Sequence, residues 1–412
     1  MFELLLIENS PNFLRLGMID PMKKPLSFTF YFLYYASLAA MIPYLVLFYK
    51  HQGFSGWQIG VLTSLGPLAS LLGNLGLTGF ADATRQHRLV MAAAGLVAIG
   101  VVLLYPLTTQ FPVMLLLVLV YSVAFAPVIA LADSATMYML GSEQAFYGRL
   151  RMGGTLGWGI FAPLVGITID RWGIQWIFLI YAAGLFLALI LGLFFRYSPS
   201  PAVREPYFKG IKVLLSKPEW VFFLQMAFIG GVGLTIINTY QPLYLETLGI
   251  NNSIIGFSQL VTTISEIPIL FFGNYLLKKF KPKGVLAVAL AVIALRLLLI
   301  AWSNNPTAII LLGLLHGLTF PALWIAGVSF AHENAPPGMA ATSQGIFGSV
   351  LTSFGVSTGS LLGGVLLGML GVRAMFVILG LIVLAGLLVL GIIQIRLAGK
   401  KLPLQDLRHG QE

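Results

Sequence analysis

The chain has 412 residues, of which 58% are apolar in a count that leaves out the 45 glycines, and only 9% are Asp, Glu, Lys or Arg. Soluble domains carry about 25% charged residues, so this balance excludes a water-soluble fold and suits repeated passage through a hydrocarbon layer about 30 Å thick. A formal charge of +10 would fit nucleic acid only with Lys and Arg gathered on one face. Zero cysteines exclude disulfides and thiolate metal sites.

In chain order, Glu3 and Glu8 flank the short apolar run Leu4-Leu5-Leu6-Ile7 with no basic segment before it, so no secretory signal is expected. Apolar runs punctuated by Pro, Gly, Asn and charge then predict twelve membrane-spanning helices: 27–49, 57–80, 89–107, 113–139, 150–169, 174–195, 219–245, 253–277, 284–303, 307–330, 340–369 and 374–395. With the N-terminus in the cytoplasm, the inner segments hold 19 of the 24 basic residues. The outer segments hold only Lys50, Arg171 and Arg373, and Arg151 and Arg296 lie inside spans. Because Lys and Arg resist translocation, this split places both termini in the cytoplasm.

The longest polar stretch, 196–218, divides the sequence into an N-terminal six-helix bundle (1–195) and a C-terminal one (219–412), with a cytoplasmic linker between. The halves match at a spacing of 196 residues, where Tyr44, Leu47, Gly53, Ile59 and Gly60 repeat as Tyr240, Leu243, Gly249, Ile255 and Gly256. Farther on, Gly166, Gly173 and Phe178 recur as Gly364, Gly371 and Phe376 at a spacing of 198. Parallel duplication of a six-helix unit is a transporter architecture in which two halves rock about a midplane site. Gly153-x-x-x-Gly157 and Gly355-x-x-x-Gly359-x-x-x-Gly363 let helix backbones approach closely.

Five ionisable groups fall inside spans: Asp133, Arg151, Glu266, Arg296 and His316. A central Asp or Arg costs about 2.5–3.5 kcal/mol on insertion scales, so the four charges must face a wet cavity or one another. Asp133 and Arg151 lie nine residues either side of residue 142, and Glu266 and Arg296 fifteen residues either side of Lys281. Each half is therefore expected to carry one acid–base pair at equal depth, serving either as a structural ion lock or as part of a site. Trp158, seven residues after Arg151, shares its helix face and either stacks on a solute or sits in an interfacial belt. His316 is either a hydrogen-bonded core residue or a proton carrier. Asn238, Tyr240 and Gln241 either line the cavity or satisfy the backbone kinked by Pro242. No phosphate-binding G-x-x-x-x-G-K-[ST] loop and no H-E-x-x-H metal motif occurs, so energy is expected from an ion gradient.

These residues resemble the major facilitator superfamily, in its phenylpropionate-permease-like and lactose-permease-like branch. Gly79-Phe80-Ala81-Asp82-Ala83-Thr84-Arg85-Gln86-His87-Arg88 is similar to the superfamily's G-x-x-x-D-x-x-G-R-[KR] cytoplasmic gate motif, with Thr78 and Arg85 in its two glycine places. Phe146 to Trp158 resembles the helix 5 signature of the branch, and Thr262-Thr263-Ile264-Ser265-Glu266 its helix 8 segment. The resemblance implies an all-α membrane fold of twelve helices in two pseudo-symmetric bundles. It also implies sugar-binding roles for Asp133, Arg151, Trp158 and Glu266, and a gate formed by Gly79, Asp82, Arg85 and Arg88. Thr319 stands where the permease has a proton-carrying Glu, which leaves Glu266, Asp133 or His316 to carry a proton.

The expected function is secondary active transport of a sugar, aromatic acid or nucleoside-like solute by alternating access with proton symport. The cavity would be lined by Asp133, Arg151, Trp158, Asn238, Glu266, Arg296 and His316. Expected partners are the small-molecule solute, a proton and the lipid bilayer of the cytoplasmic membrane, without cofactor, metal or nucleic acid, and with the chain acting as a monomer. The alternatives are a proton-coupled exporter of drugs or metabolites with the same fold, and a polytopic membrane enzyme.

Overall fold

The structure is a computed structural model that describes residues 23–198, 212, 214–336 and 339–401. Most of the expected 196–218 linker and the first 22 residues lie outside the described residues. The described residues form α1 (Lys23–His51), α2 (Gly56–Thr84), α3 (His87–Leu103), α4 (Phe111–Leu140), α5 (Tyr147–Trp172), α6 (Trp176–Gly192) and α7 (Pro218–Thr247). The helical stretch Asn252–Trp302 turns at Lys281, whose φ is 56°. Glu266 and Arg296 both contact His316, yet thirty residues of straight helix would hold them about 45 Å apart. The stretch is thus a hairpin of two crossings, α8 (252–280) and α9 (282–302). Next, α10 (Pro306–Glu333) is interrupted by a 3-10 stretch, Leu312–Leu318, and α11 (340–370) carries a π-turn, Val350–Gly355. Gly371, at φ 81°, folds the chain back into α12 (372–401).

Twelve crossings follow among the described residues, each with the apolar length that lipid demands except α3 and α6, which at 17 residues each are extended by a 3-10 turn through Leu107 and by turns through Phe195. Trp57, Trp172, Trp176 and Trp302 are exposed in the end turns of their helices, the level at which indoles settle at a bilayer surface. An even number of crossings puts Lys23 and Lys401 on one face, called here the terminal face; the opposite face is the far face.

The duplication is visible in the backbone. Positive φ is confined to Gly141 and three repeat pairs among the described residues: Gly53 with Gly249, Gly173 with Gly371, and Arg85 with Lys281. Side chains repeat as well. Tyr44 donates to the Ala162 carbonyl at 2.6 Å, and its mate Tyr240 donates to the Ser360 carbonyl at 2.6 Å, with Ala162 and Ser360 again 198 residues apart.

Glycines sort into two kinds of contact. Gly153 and Gly157 pack α5 on Phe28 and Phe32 of α1, and Gly355, Gly359 and Gly363 pack α11 on α7, so both motifs hold helices within a half. Between halves the close approaches are α2 to α11, where a Cβ on Gly60 would meet the Gly364 Cα at 2.9 Å, and α5 to α8, where Gly166 abuts Asn252 and Gly256 abuts Ala162. All four of these glycines lie in the far-face halves of their helices. Gly76, Gly148 and Gly348, in the terminal-face halves of α2, α5 and α11, have nothing within 4 Å. The two bundles touch at the far face and splay toward the terminal face.

Hydrogen bonds agree with that shape. Glu246 of α7 pairs with Lys50 at 2.9 Å and His51 at 2.7 Å from α1. Asp170 of α5 binds Asn252 and Ser253 of α8, and Ser357 donates to the Ser64 carbonyl at 2.6 Å.

Candidate functional site

The N-terminal half assembles its charges as expected. Asp133 from α4 and Arg151 from α5 pair at 3.0 Å. Three tyrosines complete the group: Tyr31 donates to Asp133 Oδ1 at 2.7 Å, while Arg151 donates to Tyr147 at 2.6 Å and Tyr35 at 3.0 Å. Tyr31 and Tyr35 lie one turn apart on α1, and Tyr147 lies one turn before Arg151 on α5, so the i, i+4 spacing carried a signal that sequence reasoning missed. The Arg151 side chain keeps 40% of its area accessible and that of Asp133 keeps 28%. With the far face closed, that access comes from the splayed terminal side. A guanidinium has five N–H donors, and three of the Arg151 donors are engaged. Its Nε–H and one Nη2–H have no partner among the described residues.

The C-terminal half differs from expectation. Glu266 and Arg296 do not pair directly, because His316 stands between them. Arg296 Nη1 lies 3.2 Å from His316 Nδ1, and His316 Nε2 lies 3.3 Å from Glu266 Oε1. Equal distance from a turn fixes depth but not rotation about the helix axis, and α10 brings the imidazole into the gap. Arginine only donates, so Nδ1 accepts and Nε2 carries the hydrogen directed at the carboxylate, an arrangement belonging to the neutral ring. Arg296 is fully buried. Its Nη2 donates to Gln241 at 3.3 Å, and its Nε has no partner among the described residues.

The two groups lie near each other across the halves, since Tyr35, bonded to Arg151, is within electrostatic range of Glu266. They are not duplicates of each other, because the repeat mates of Asp133 and Glu266 are Ala331 and Ser70.

Of the remaining candidates, Asn238 is exposed on the otherwise largely buried α7, and Trp158 is half-buried against the core. Tyr240 is buried and donates to the Ser360 carbonyl, so it braces α11 instead of lining the chamber. Thr319 is fully buried with its hydroxyl on the His316 carbonyl at 2.8 Å. Phe320 stacks over His316, and Trp324 continues the ladder.

In the α2–α3 turn the side chains of the gate motif bond to one another and to the chain just after α6. Asp82 pairs with His87 at 2.9 Å, and the His87 ring stacks on Tyr197 at 4.8 Å. Arg88 donates through Nε to the Phe195 carbonyl at 2.7 Å, tying the turn to the end of α6. Gly79 is half-buried one turn before Asp82, and Arg85 is exposed with φ 58°, the left-handed conformation that glycine adopts without strain.

The MFS_1 like family model matches residues 26–378. The uncharacterized transporter YwbF of Bacillus subtilis (strain 168) is 24% identical over 363 residues, covering 87% of this chain and 90% of that protein. A maltose permease of Geobacillus stearothermophilus is also 24% identical, covering 88% and 92%. Among solved structures, the nucleoside transporter NupG superposes with a TM-score of 0.79 at 18% identity, covering 89% of this chain and 98% of that one. With twelve crossings in two related bundles around a charged chamber, and a family match across nearly its whole length, the chain belongs to the MFS_1 like family and is a major facilitator superfamily transporter, not an enzyme.

Proposed function

We propose that the protein is a secondary active transporter that carries a small polar organic solute, a sugar or a nucleoside-like compound, across the cytoplasmic membrane in symport with a proton. The supporting observation is the Arg151 guanidinium, fixed by Asp133, Tyr147 and Tyr35 and still partly accessible with two N–H donors to spare. A rigid guanidinium edge suits paired acceptors such as neighbouring hydroxyls or a carboxylate. Trp158, two turns on from Arg151 along α5, would add a ring face to such a site, and the exposed Asn238 an amide. Relatives that carry maltose and nucleosides favour the same solute classes.

The buried C-terminal group serves energy coupling. Glu266 is the proton acceptor, since His316 already has both ring nitrogens engaged, by Arg296 and by Glu266 itself, and Thr319 cannot titrate. Solute binds the form in which Glu266 is protonated, and differential affinity for the two orientations drives the exchange. Both termini lie in the cytoplasm, the halves join through the 196–218 linker, and the closed far face makes this the inward-facing state of a monomer. Gly79, Asp82, Arg85 and Arg88 act at the cytoplasmic gate.

Thermal-shift screening against sugars and nucleosides tests the site: one class should stabilise the wild type and leave Arg151→Ala unmoved. Counterflow and uptake in proteoliposomes test the coupling. A pH gradient should drive uptake by the wild type but not by Glu266→Gln, which should retain exchange. Gradient-driven uptake by Glu266→Gln would remove Glu266 from the role.

A further inference from the structure

The two outer seams between the halves occupy equivalent places in the duplication, yet they are closed by different chemistry. At the α2–α11 seam, Gly368 packs against Gly56 and Trp57, backbone to backbone. At the α5–α8 seam the mate of Gly368 is Asp170 and the mate of Gly56 is Asn252. There the Asp170 carboxylate accepts from Asn252 N and Nδ2 and from Ser253 N, each at 2.9 Å, and also from the Ser253 hydroxyl. The first N–H groups of a helix have no partner inside it. Those of α8 are divided between its own Asn251, which takes Ile254 N, and an acid from the other half of the molecule. Asp170 thus completes the start of α8 only while the far face is shut; when the bundles part there, both the carboxylate and the two backbone donors return to water.

We propose that Asp170 is a conformational latch, a carboxylate that bolts α8 to α5 and sets the fraction of molecules closed at the far face. The proposal rests on the alternating-access reading above. Of the two outer seams it assigns charge-dependent closure to α5–α8, alongside the Lys50–Glu246 pair between α1 and α7, while the α2–α11 seam closes by glycine packing and the uncharged Ser357–Ser64 hydrogen bond.

The chain contains no cysteine, so single reporters can be introduced. Asn238→Cys places a thiol in the chamber, beyond the seal as seen from the far face, and Thr109→Cys places one on the α3–α4 connection. In intact cells, a membrane-impermeant maleimide should label Thr109→Cys rapidly whatever stands at 170. Failure of that label overturns the orientation and leaves the latch to be read from the opposite side in inverted vesicles. Asp170→Ala should speed labelling of Asn238→Cys by about tenfold, equivalent to a shift of about 1.4 kcal/mol in the closing equilibrium. Ser253→Ala, which removes one of the four bonds, should give an intermediate rate, and Asp170→Glu should return it toward wild type. Unchanged labelling in both Asp170→Ala and Ser253→Ala, with only a lowered melting temperature, would reduce Asp170 to a structural cap and overturn the proposal.

Discussion

At the scale of single residues, the buried trio of Glu266, His316 and Arg296 is held together by its central member. Replacing His316 with Leu removes an acceptor from a fully buried guanidinium, and leaving a buried donor unsatisfied costs about 1–3 kcal/mol, more for a charged group. The expected outcome is a clearly lowered melting temperature, partly recovered when Arg296→Leu is added. Tyr31→Phe removes the hydroxyl that donates to the part-exposed Asp133 Oδ1, and such a hydrogen bond is worth about 0.5–1.5 kcal/mol net. That variant should melt lower while retaining some transport. Arg85 offers the opposite sign, because a left-handed residue with a Cβ costs about 1–2 kcal/mol. Arg85→Gly should raise the melting temperature, as a thermal ramp in detergent would show. The sequence already placed Asp133 beside Arg151, since two helices joined by a short turn leave little freedom. It did not place His316 between Glu266 and Arg296, because the azimuth of a helix is decided by packing that no local pattern records.

At the scale of helices, the glycines make distinguishable demands. Gly157 faces the α1 backbone within its own half, so Gly157→Val should lower stability and expression. Gly364 faces Gly60 across the halves, so Gly364→Val should leave each bundle folded and obstruct closure at the far face. The measurable result is faster modification of an Asn238→Cys reporter from that side together with reduced uptake. Element boundaries were legible because lipid requires long apolar runs, and because Gly53, Gly249, Gly173 and Gly371 end helices in left-handed backbone that a side chain resists. The π-turn at Val350–Gly355 and the 3-10 stretch at Leu312–Leu318 were not legible. Their apolar composition is that of ordinary helix, and neighbouring helices supply the hydrogen bonds that make such irregular turns tolerable in a membrane.

At the scale of the whole molecule, the duplication is kept in the turns that end the helices and selectively erased in charge. Tyr44 and Tyr240 perform the same task in both bundles, whereas the ionisable groups of the chamber have no mates. One of those erasures falls on the approximate symmetry axis itself. Lys50 and Glu246 are counterparts 196 positions apart, and they bind each other. In an assembly of two identical six-helix subunits, a position on the dyad meets its own copy, which would set lysine against lysine or glutamate against glutamate. Either bundle has therefore become unfit to partner itself, and co-produced as separate polypeptides the two should join only as an unlike pair.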